Sequence, residues 1–346
     1  MIREAITHLV AGQSLSEAEA AEAMEEIMTG MATPSQLGAF LTALRLKGET
    51  VEEVTGLARV MREQALHVPL DASVRAVDTC GTGGDASGTF NVSTAAGLLV
   101  AALGLPVAKH GNRAATSRCG SADVLEALGV KLELEPEQVA YCVERIGFGF
   151  MFAPTYHPAM RYVGPTRREI GIRTVFNILG PLTNPARVRY QVLGVPDAKL
   201  LRLIGEALLR LGGARALVVH GADGVDELSL SGPTLICEVD GASGTLREYT
   251  VTPESVGCAT APREAVLGGD AQQNATLLRD LLAGKLDGAP ADIVALNAGA
   301  ALYVTERADS LADGVRQARS GLRDGRGVAT LETLAATTQR LGATVA

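Results

Sequence analysis

The chain has no tryptophan, and aromatic residues make up only 3% of its 346 residues. That scarcity speaks against a surface built for stacking nucleobases. An excess of basic residues is also missing. The formal charge is −8 and the isoelectric point about 5.3. Non-specific nucleic-acid binding draws its affinity from a basic face, so this balance argues against it. Local basic clusters still leave room for a small anionic ligand. Cysteines are few and odd in number (Cys80, Cys119, Cys142, Cys237, Cys258), with no CxxC pair. Neither a zinc site nor a disulfide framework fits them, and they suit a reducing cytoplasm. Arg3, Glu4 and His8 interrupt the start, so no signal peptide is expected. Residues 86–108 run for 23 positions without a charge. Gly88, Asn91, Ser93, Thr94, Gly97, Gly104 and Pro106 punctuate them, which predicts a buried helix and a buried strand rather than a membrane span.

What is present is enough for a large core: 47% of residues are hydrophobic. The length allows two domains, or one α/β domain with a smaller attachment. The first 70 residues read as helices only. Ser14 with Glu17 and Thr50 with Glu53 have capping-box spacing, and Thr33-Pro34 reads as an N-cap followed by a first-turn proline. Gly48 closes that helix after Leu41, Leu44 and Leu46. From residue 74 short apolar segments alternate with helical periodicity. Strands are predicted at Ala76–Thr79, Pro106–Ala108, Val130–Leu134, Phe148–Phe152, Tyr190–Val195 and Ala216–Val219. Residues 234–251 read as a hairpin at an antiparallel edge. Helices return at Gln272–Ala283, Asp292–Tyr303 and Leu311–Leu322. The fold class is therefore α/β: a small N-terminal helical domain over 1–70, then a larger α/β domain over 74–346 with a mostly parallel central sheet covered on both faces.

The chemistry concentrates after the first two strands. Gly81-Thr82-Gly83-Gly84-Asp85 follows a strand and precedes a helix starting near Asn91. Glycines let backbone N–H groups approach phosphate oxygens. No Lys-Ser/Thr pair follows at P-loop spacing, and no acidic residue stands about 20 positions on to hold a ribose. Taken alone, such a loop is as often a plain tight turn. Asn91, Ser93 and Thr94 at the helix start favour a ligand, because capping explains only one of them. Lys109-His110-Gly111-Asn112-Arg113 leaves the end of the next strand, where open α/β sheets bind ligands. Thr116-Ser117 and a helix opening at Ser121 with Asp123 adjoin it. Backbone donors from the first turn and cations from the second make an anion site twice over. Asp226-Glu227, with Asp223 nearby, follows another strand and suits Mg²⁺, which takes few protein carboxylates, although solvated turn acids read similarly. Arg161, Arg167, Arg168 and Arg173 lie within one stretch, where Arg161, Arg168 and Arg167 share a helix unless Pro165 breaks it.

Together these segments resemble the anthranilate phosphoribosyltransferase family. The likeness rests on GTGGD (81–85), NVST (91–94), KHGNRAATS (109–117), GSADVLEALG (120–129), HPAMRYVGPTRREIGIRTVFNILGPLTNP (157–185) and VVHGADGVDELS (218–229), and it runs to about residue 340. It implies a homodimer joined through the helical domain, which helices from about 157–185 rejoin. It also implies Mg²⁺-dependent transfer of the phosphoribosyl group of 5-phosphoribosyl 1-diphosphate to the amine of anthranilate in tryptophan biosynthesis. Carried over, Gly81, Gly84, Asp85, Thr89, Asn91, Val92, Ser93, Thr94, Lys109, His110, Gly111, Asn112, Arg113, Ala114, Ala115, Thr116, Ser117 and Ser121 surround phosphoribosyl diphosphate. Gly81, Asn112 and Arg167 contact anthranilate, with His110, His157 and Pro181 near its path. Ser93, Asp226 and Glu227 hold Mg²⁺. No general base is assigned. Two other readings carry different chemistry: a pyrimidine-nucleoside phosphorylase of similar architecture, and a nucleic-acid-binding relative without activity. The RRExGIRT segment opposes the first, and the charge with the intact acidic pair opposes the second.

Overall fold

The computed structural model describes residues 1–114 and 118–343. Its chain begins with four helices, α1 Ile2–Val10, α2 Glu17–Met28, α3 Pro34–Lys47 and α4 Val51–Glu63. Capping boxes open three of them, at Ser16/Glu19, Thr33/Gln36 and Thr50/Glu53. The spacing of Ser14 with Glu17 is thus not the one used. Ser14 Oγ instead accepts from Lys47 Nζ at 3.2 Å. The same ammonium pairs at 2.9 Å with Glu53, whose other oxygen accepts from Leu15 N–H at 2.9 Å. This buried carboxylate thereby binds the α1–α2 turn to α3 and α4. Gly48 ends α3 with φ 90°.

Seven strands follow: β1 Val77–Gly81, β2 Val107–Gly111, β3 Phe148–Phe152, β4 Tyr190–Gly194, β5 Arg215–Gly221, β6 Thr234–Asp240 and β7 Thr245–Val251. They form one sheet in the order β3-β2-β1-β4-β5-β6-β7. The first five are parallel, and the hairpin β6–β7 closes one edge antiparallel, as its turn-centred pattern predicts. Between and after them lie α5 Val92–Ala102, α6 Ser121–Ala127, α7 Pro136–Arg145, α8 Ala153–Tyr156, α9 Gly164–Ile170, α10 Phe176–Leu179, α11 Leu200–Arg210, α12 Ala271–Leu282, α13 Ala289–Val304, α14 Leu311–Arg323 and α15 Arg326–Ala343.

Residues 130–134 correct the sequence reading. Val130, Leu132 and Leu134 are buried in alternation, but among the described residues no strand pairs with them. Lys131 N–H donates to the Thr338 hydroxyl at 3.0 Å, and the Tyr156 hydroxyl donates to Leu134 O at 2.9 Å. Period-two burial reports a surface to cover, not a ladder to join.

Strand residues divide by face between two cores. Val77, Val192, Leu217, Val219 and Ile236 join α5 and α13. Leu193, Ala216, Val218, Cys237 and Val239 join α11, and through it the N-terminal helices with Val163, Val175, Phe176 and Leu179. The helical bundle and the 163–182 segment therefore share one core with a face of the sheet. All five cysteines are buried and unpaired. No helix among the described residues is long and apolar enough to cross a membrane.

Candidate functional site

Strand β1 has β2 on one side and β4 on the other, so the strand order reverses there, at a switch point where open α/β sheets bind their ligands beyond the carboxyl ends. Gly81 and Gly194 pair at those ends. A Cβ on Gly194 would overlap the Asp226 backbone, and one on Gly81 would overlap the Asp226 carboxylate. Two glycines thus make room for one acid that arrives from the loop after β5. Gly83 and Gly84 adopt φ of 66° and 77°, and Gly83 N–H donates to Asp226 Oδ2 at 2.8 Å. Asp226 N–H points at Asp85 Oδ2, 3.5 Å away.

Burial raises the Asp226 carboxyl above its ordinary range, and the Asp85 charge raises it further. Glu227 is pushed up by burial and then by Asp226, with partial relief from Lys109 and the Ser93 backbone. Lys109 is itself buried. Its Nζ donates to Thr79 O and, at 3.3 Å, to Ser93 Oγ. Asp85, Ser93, Lys109, Asp226 and Glu227 therefore form one charged cluster at the strand ends, and its carboxylates are held at a cost that a cation would relieve. Among the described residues no three His, Cys, Asp or Glu side chains are set as a ready-made metal cage. Mg²⁺ does not need one, since it binds through one or two carboxylates with waters and phosphate oxygens.

The other sequence-derived residues are distributed unevenly. Asn91 begins α5, but its amide donates to Cys119 O at 3.1 Å and accepts from Asn274 at 3.0 Å, clamping the helix start. Val92 is buried behind it, and the buried Thr94 hydroxyl has no hydrogen-bond partner among the described residues. Thr89 bridges to Leu267, and its hydroxyl lies 3.0 Å from Ser87 Oγ. Arg113 is turned away onto α6, paired with Asp123 at 3.0 Å and Glu126 at 2.8 Å, over the Phe152 ring. Asn112 Oδ1 accepts from Arg113 N–H, and Asn112 O accepts from Ala122 N–H. Ser121 Oγ lies 3.4 Å from Asn112 O, and Ala114 N–H donates to Asp123. Gly111 follows on β2, hemmed by Phe150. Ala115, Thr116 and Ser117 lie outside the described residues. Asp223 accepts from Ser229 Oγ at 3.0 Å and does not join the acidic cluster through any hydrogen bond among the described residues.

The arginine stretch does not form one helix. A 3₁₀ turn covers Pro158–Tyr162, and Pro165 sits in the first turn of α9, which suits a residue without an N–H. Arg161 stacks on Tyr162, while Arg168 is exposed. Arg167 is half-buried with its guanidinium 5.4 Å from the centre of Phe176, and it makes no ion pair among the described residues. Burial lowers its pKa below the ordinary arginine value.

Sequence reading missed Asp78, Asn184 and Gly194. Asp78 is fully buried on β1, where Asn184 Nδ2 donates to its Oδ2 at 2.8 Å and to Ala108 O at 2.9 Å. Those bonds hold the 180–185 turn against the strand ends. The only available signal for Gly194 was a glycine at the end of an apolar run.

His110 and His157 meet behind that turn with ring centroids 5.1 Å apart. His110 Nδ1 lies 3.2 Å from Gly180 O, and burial lowers the two pKa values to about 3 and about 4. A depressed histidine stabilises the fold fully above the unfolded value near 6.5, and that contribution is lost as pH falls toward the folded value. Between pH 7 and pH 5 each should therefore cost about 2 kcal/mol of unfolding free energy. Urea unfolding across that range checks it. In His157→Asn one such share of the slope should vanish, and an unchanged slope would mean that this imidazole is already charged or solvated.

Comparison with known proteins follows the same division. The chain matches two family models, described as glycosyl transferase family, helical bundle domain, over residues 3–65 and glycosyl transferase family, a/b domain, over residues 73–328. It is 58% identical to the anthranilate phosphoribosyltransferase of Chloroflexus aggregans over 97% of this chain and 98% of that one. The crystal structure of anthranilate phosphoribosyltransferase from Thermus thermophilus superposes with a TM-score of 0.92 at 48% identity, covering 97% of this chain and 99% of that one. The anthranilate phosphoribosyltransferase of Saccharomyces cerevisiae in complex with PRPP and Mg has a TM-score of 0.89 at 25% identity, with 98% of each chain covered.

Proposed function

Because the chain belongs to the anthranilate phosphoribosyltransferase family, we propose that the crevice between β1 and β4 holds 5-phosphoribosyl 1-diphosphate with Mg²⁺, and that Arg167 receives anthranilate. The enzyme transfers the phosphoribosyl group to the anthranilate amine, giving N-(5-phosphoribosyl)anthranilate and diphosphate in tryptophan biosynthesis. One observation carries the site assignment: Asp85, Asp226 and Glu227 converge with buried Lys109 under a glycine loop at the switch point. Ser93, Asp226 and Glu227 would hold the metal, and bound Mg²⁺ would supply charge neutralisation on the diphosphate.

The new bond joins the amine nitrogen to ribose C1, and the C1–O bond breaks with its electron pair leaving on diphosphate. Lys109 and the N–H groups of Gly84 and Asp85, which have no acceptor among the described residues, stabilise that developing charge. Arg167, a desolvated cation with no carboxylate partner among the described residues, forms a charge-assisted pair with the anthranilate carboxylate. An arylamine is uncharged at neutral pH with a free lone pair, so positioning and electrostatics suffice and no general base is named. Loss of anthranilate fluorescence in the presence of phosphoribosyl diphosphate and Mg²⁺ tests the reading, and no consumption of anthranilate would sink it.

We place the protein in the cytoplasm, where five unpaired cysteines remain reduced. We also assign a homodimer joined through the helical bundle, where Val10, Met31 and Leu46 are 74%, 67% and 83% exposed. Leu46→Glu should shift sedimentation from dimer to monomer. A wild-type protein that sediments as a monomer at micromolar concentration would refute the assignment.

A further inference from the structure

Arg173 stands on the segment between α9 and α10, and its backbone is set on both sides. Gly171 ends α9 in the left-handed region with φ 66°, and Thr174 N–H donates to Asn177 Oδ1 at 2.9 Å as α10 begins. Between these two turns the side chain is directed onto the glycine loop. A Cβ on Gly84 would overlap Nη1 of Arg173 and lie 2.7 Å from its Cζ and 3.3 Å from Nη2. Gly84 has φ 77°, a left-handed conformation that favours glycine, and the Arg173 fork lies in the space its missing Cβ leaves.

This guanidinium is exposed and, among the described residues, makes no ion pair and donates no side-chain hydrogen bond. Two nearby arginines are already engaged. Arg113 is paired with Asp123 and Glu126, and Arg263 donates to Ala86 O and Ser87 O from the far end of the loop. Arg173 thus leaves a planar fork of donors over Gly84, on the glycine loop. The crevice below it carries three carboxylates against one buried ammonium, so an entering polyanion needs further positive charge.

We propose that Arg173 is a diphosphate-binding residue, which contacts the diphosphate of phosphoribosyl diphosphate from above the glycine loop at Gly84. The proposal rests on the phosphoribosyl-transfer reading of the site. Its segment continues into Val175 and Phe176, which belong to the core of the helical bundle. Arg173 therefore links that bundle to the loaded loop.

Calorimetry without anthranilate tests it, using Mg²⁺ with phosphoribosyl diphosphate and, separately, Mg²⁺ with inorganic diphosphate. Arg173→Gln should weaken both by about tenfold or more, as expected for one lost charge-assisted contact, while the KM for anthranilate stays within about twofold. Arg173→Lys should fall between, keeping the charge and losing the fork. Unchanged affinity for both probes in Arg173→Gln overturns the proposal. So does a loss that comes with a lower melting temperature in both variants, because the residue is then part of the loop's packing. Wild-type protein that neither binds phosphoribosyl diphosphate nor consumes anthranilate would instead refute the underlying function.

Discussion

Replacing Asp226 by Asn together with Glu227 by Gln is expected to lower turnover by about a thousandfold or more, since several kcal/mol of charge stabilisation at the leaving group is removed. The dependence of the residual rate on Mg²⁺ should flatten in the same variant. The fold should survive. Both carboxyls titrate above their ordinary range because burial disfavours the charged forms, with the Asp85 charge adding to this at Asp226 and the Asp226 charge adding to it at Glu227. A raised carboxyl means that the folded protein binds protons more readily than the unfolded chain. Without metal, stability is then lowest at alkaline pH and is gained as pH falls through the folded value toward the ordinary one. The double amide should therefore melt at or above the wild-type temperature in metal-free buffer at pH 8. Wild-type turnover in this variant at limiting Mg²⁺ would move the metal site elsewhere. A collapse of the melting temperature would assign the pair to the architecture.

Arg167→Ala is expected to weaken anthranilate by about ten- to a hundredfold, the range for a lost charge-assisted pair of about 1.5–3 kcal/mol. Phosphoribosyl diphosphate binding should change little, because the cluster proposed to hold it is built from the loop after β1, the start of α5, β2 and the loop after β5. The structure strengthens the reason for this expectation. Arg167 is partly desolvated against Phe176 and lacks an acidic partner among the described residues. Such a cation gains more from an arriving carboxylate than an exposed one does. Calorimetric titration of each substrate separates the two claims. Equal loss for both would make Arg167 a shared or structural residue.

Much of the site was legible because its parts are local. A glycine loop after a strand, polar residues at the following helix start, and cations after the next strand each occupy one short stretch, and α/β order sends strand ends to one side. Directions were not legible. Arg113 belongs to the basic turn, yet Asp123 and Glu126 on α6 take its charge. Arg161 and Arg168 are separated by a proline that begins a new helix. Val130–Leu134 alternates like a strand, but β3 already forms the sheet edge and the segment is capped by side chains instead.

The sequence by itself determined the helical start, the parallel sheet with its antiparallel hairpin, and the glycine-rich and basic turns at the strand ends. Each depends on periodicity, capping or glycine chemistry within about a dozen residues. Only the tertiary structure decided that Asp226 reaches Gly83 across 143 residues of chain, in a space left by Gly81 and Gly194. It alone turned Lys109 inward and laid Arg173 on Gly84. Those contacts depend on which strands become neighbours, and no local pattern encodes that choice, because it is set by the burial of both sheet faces at once.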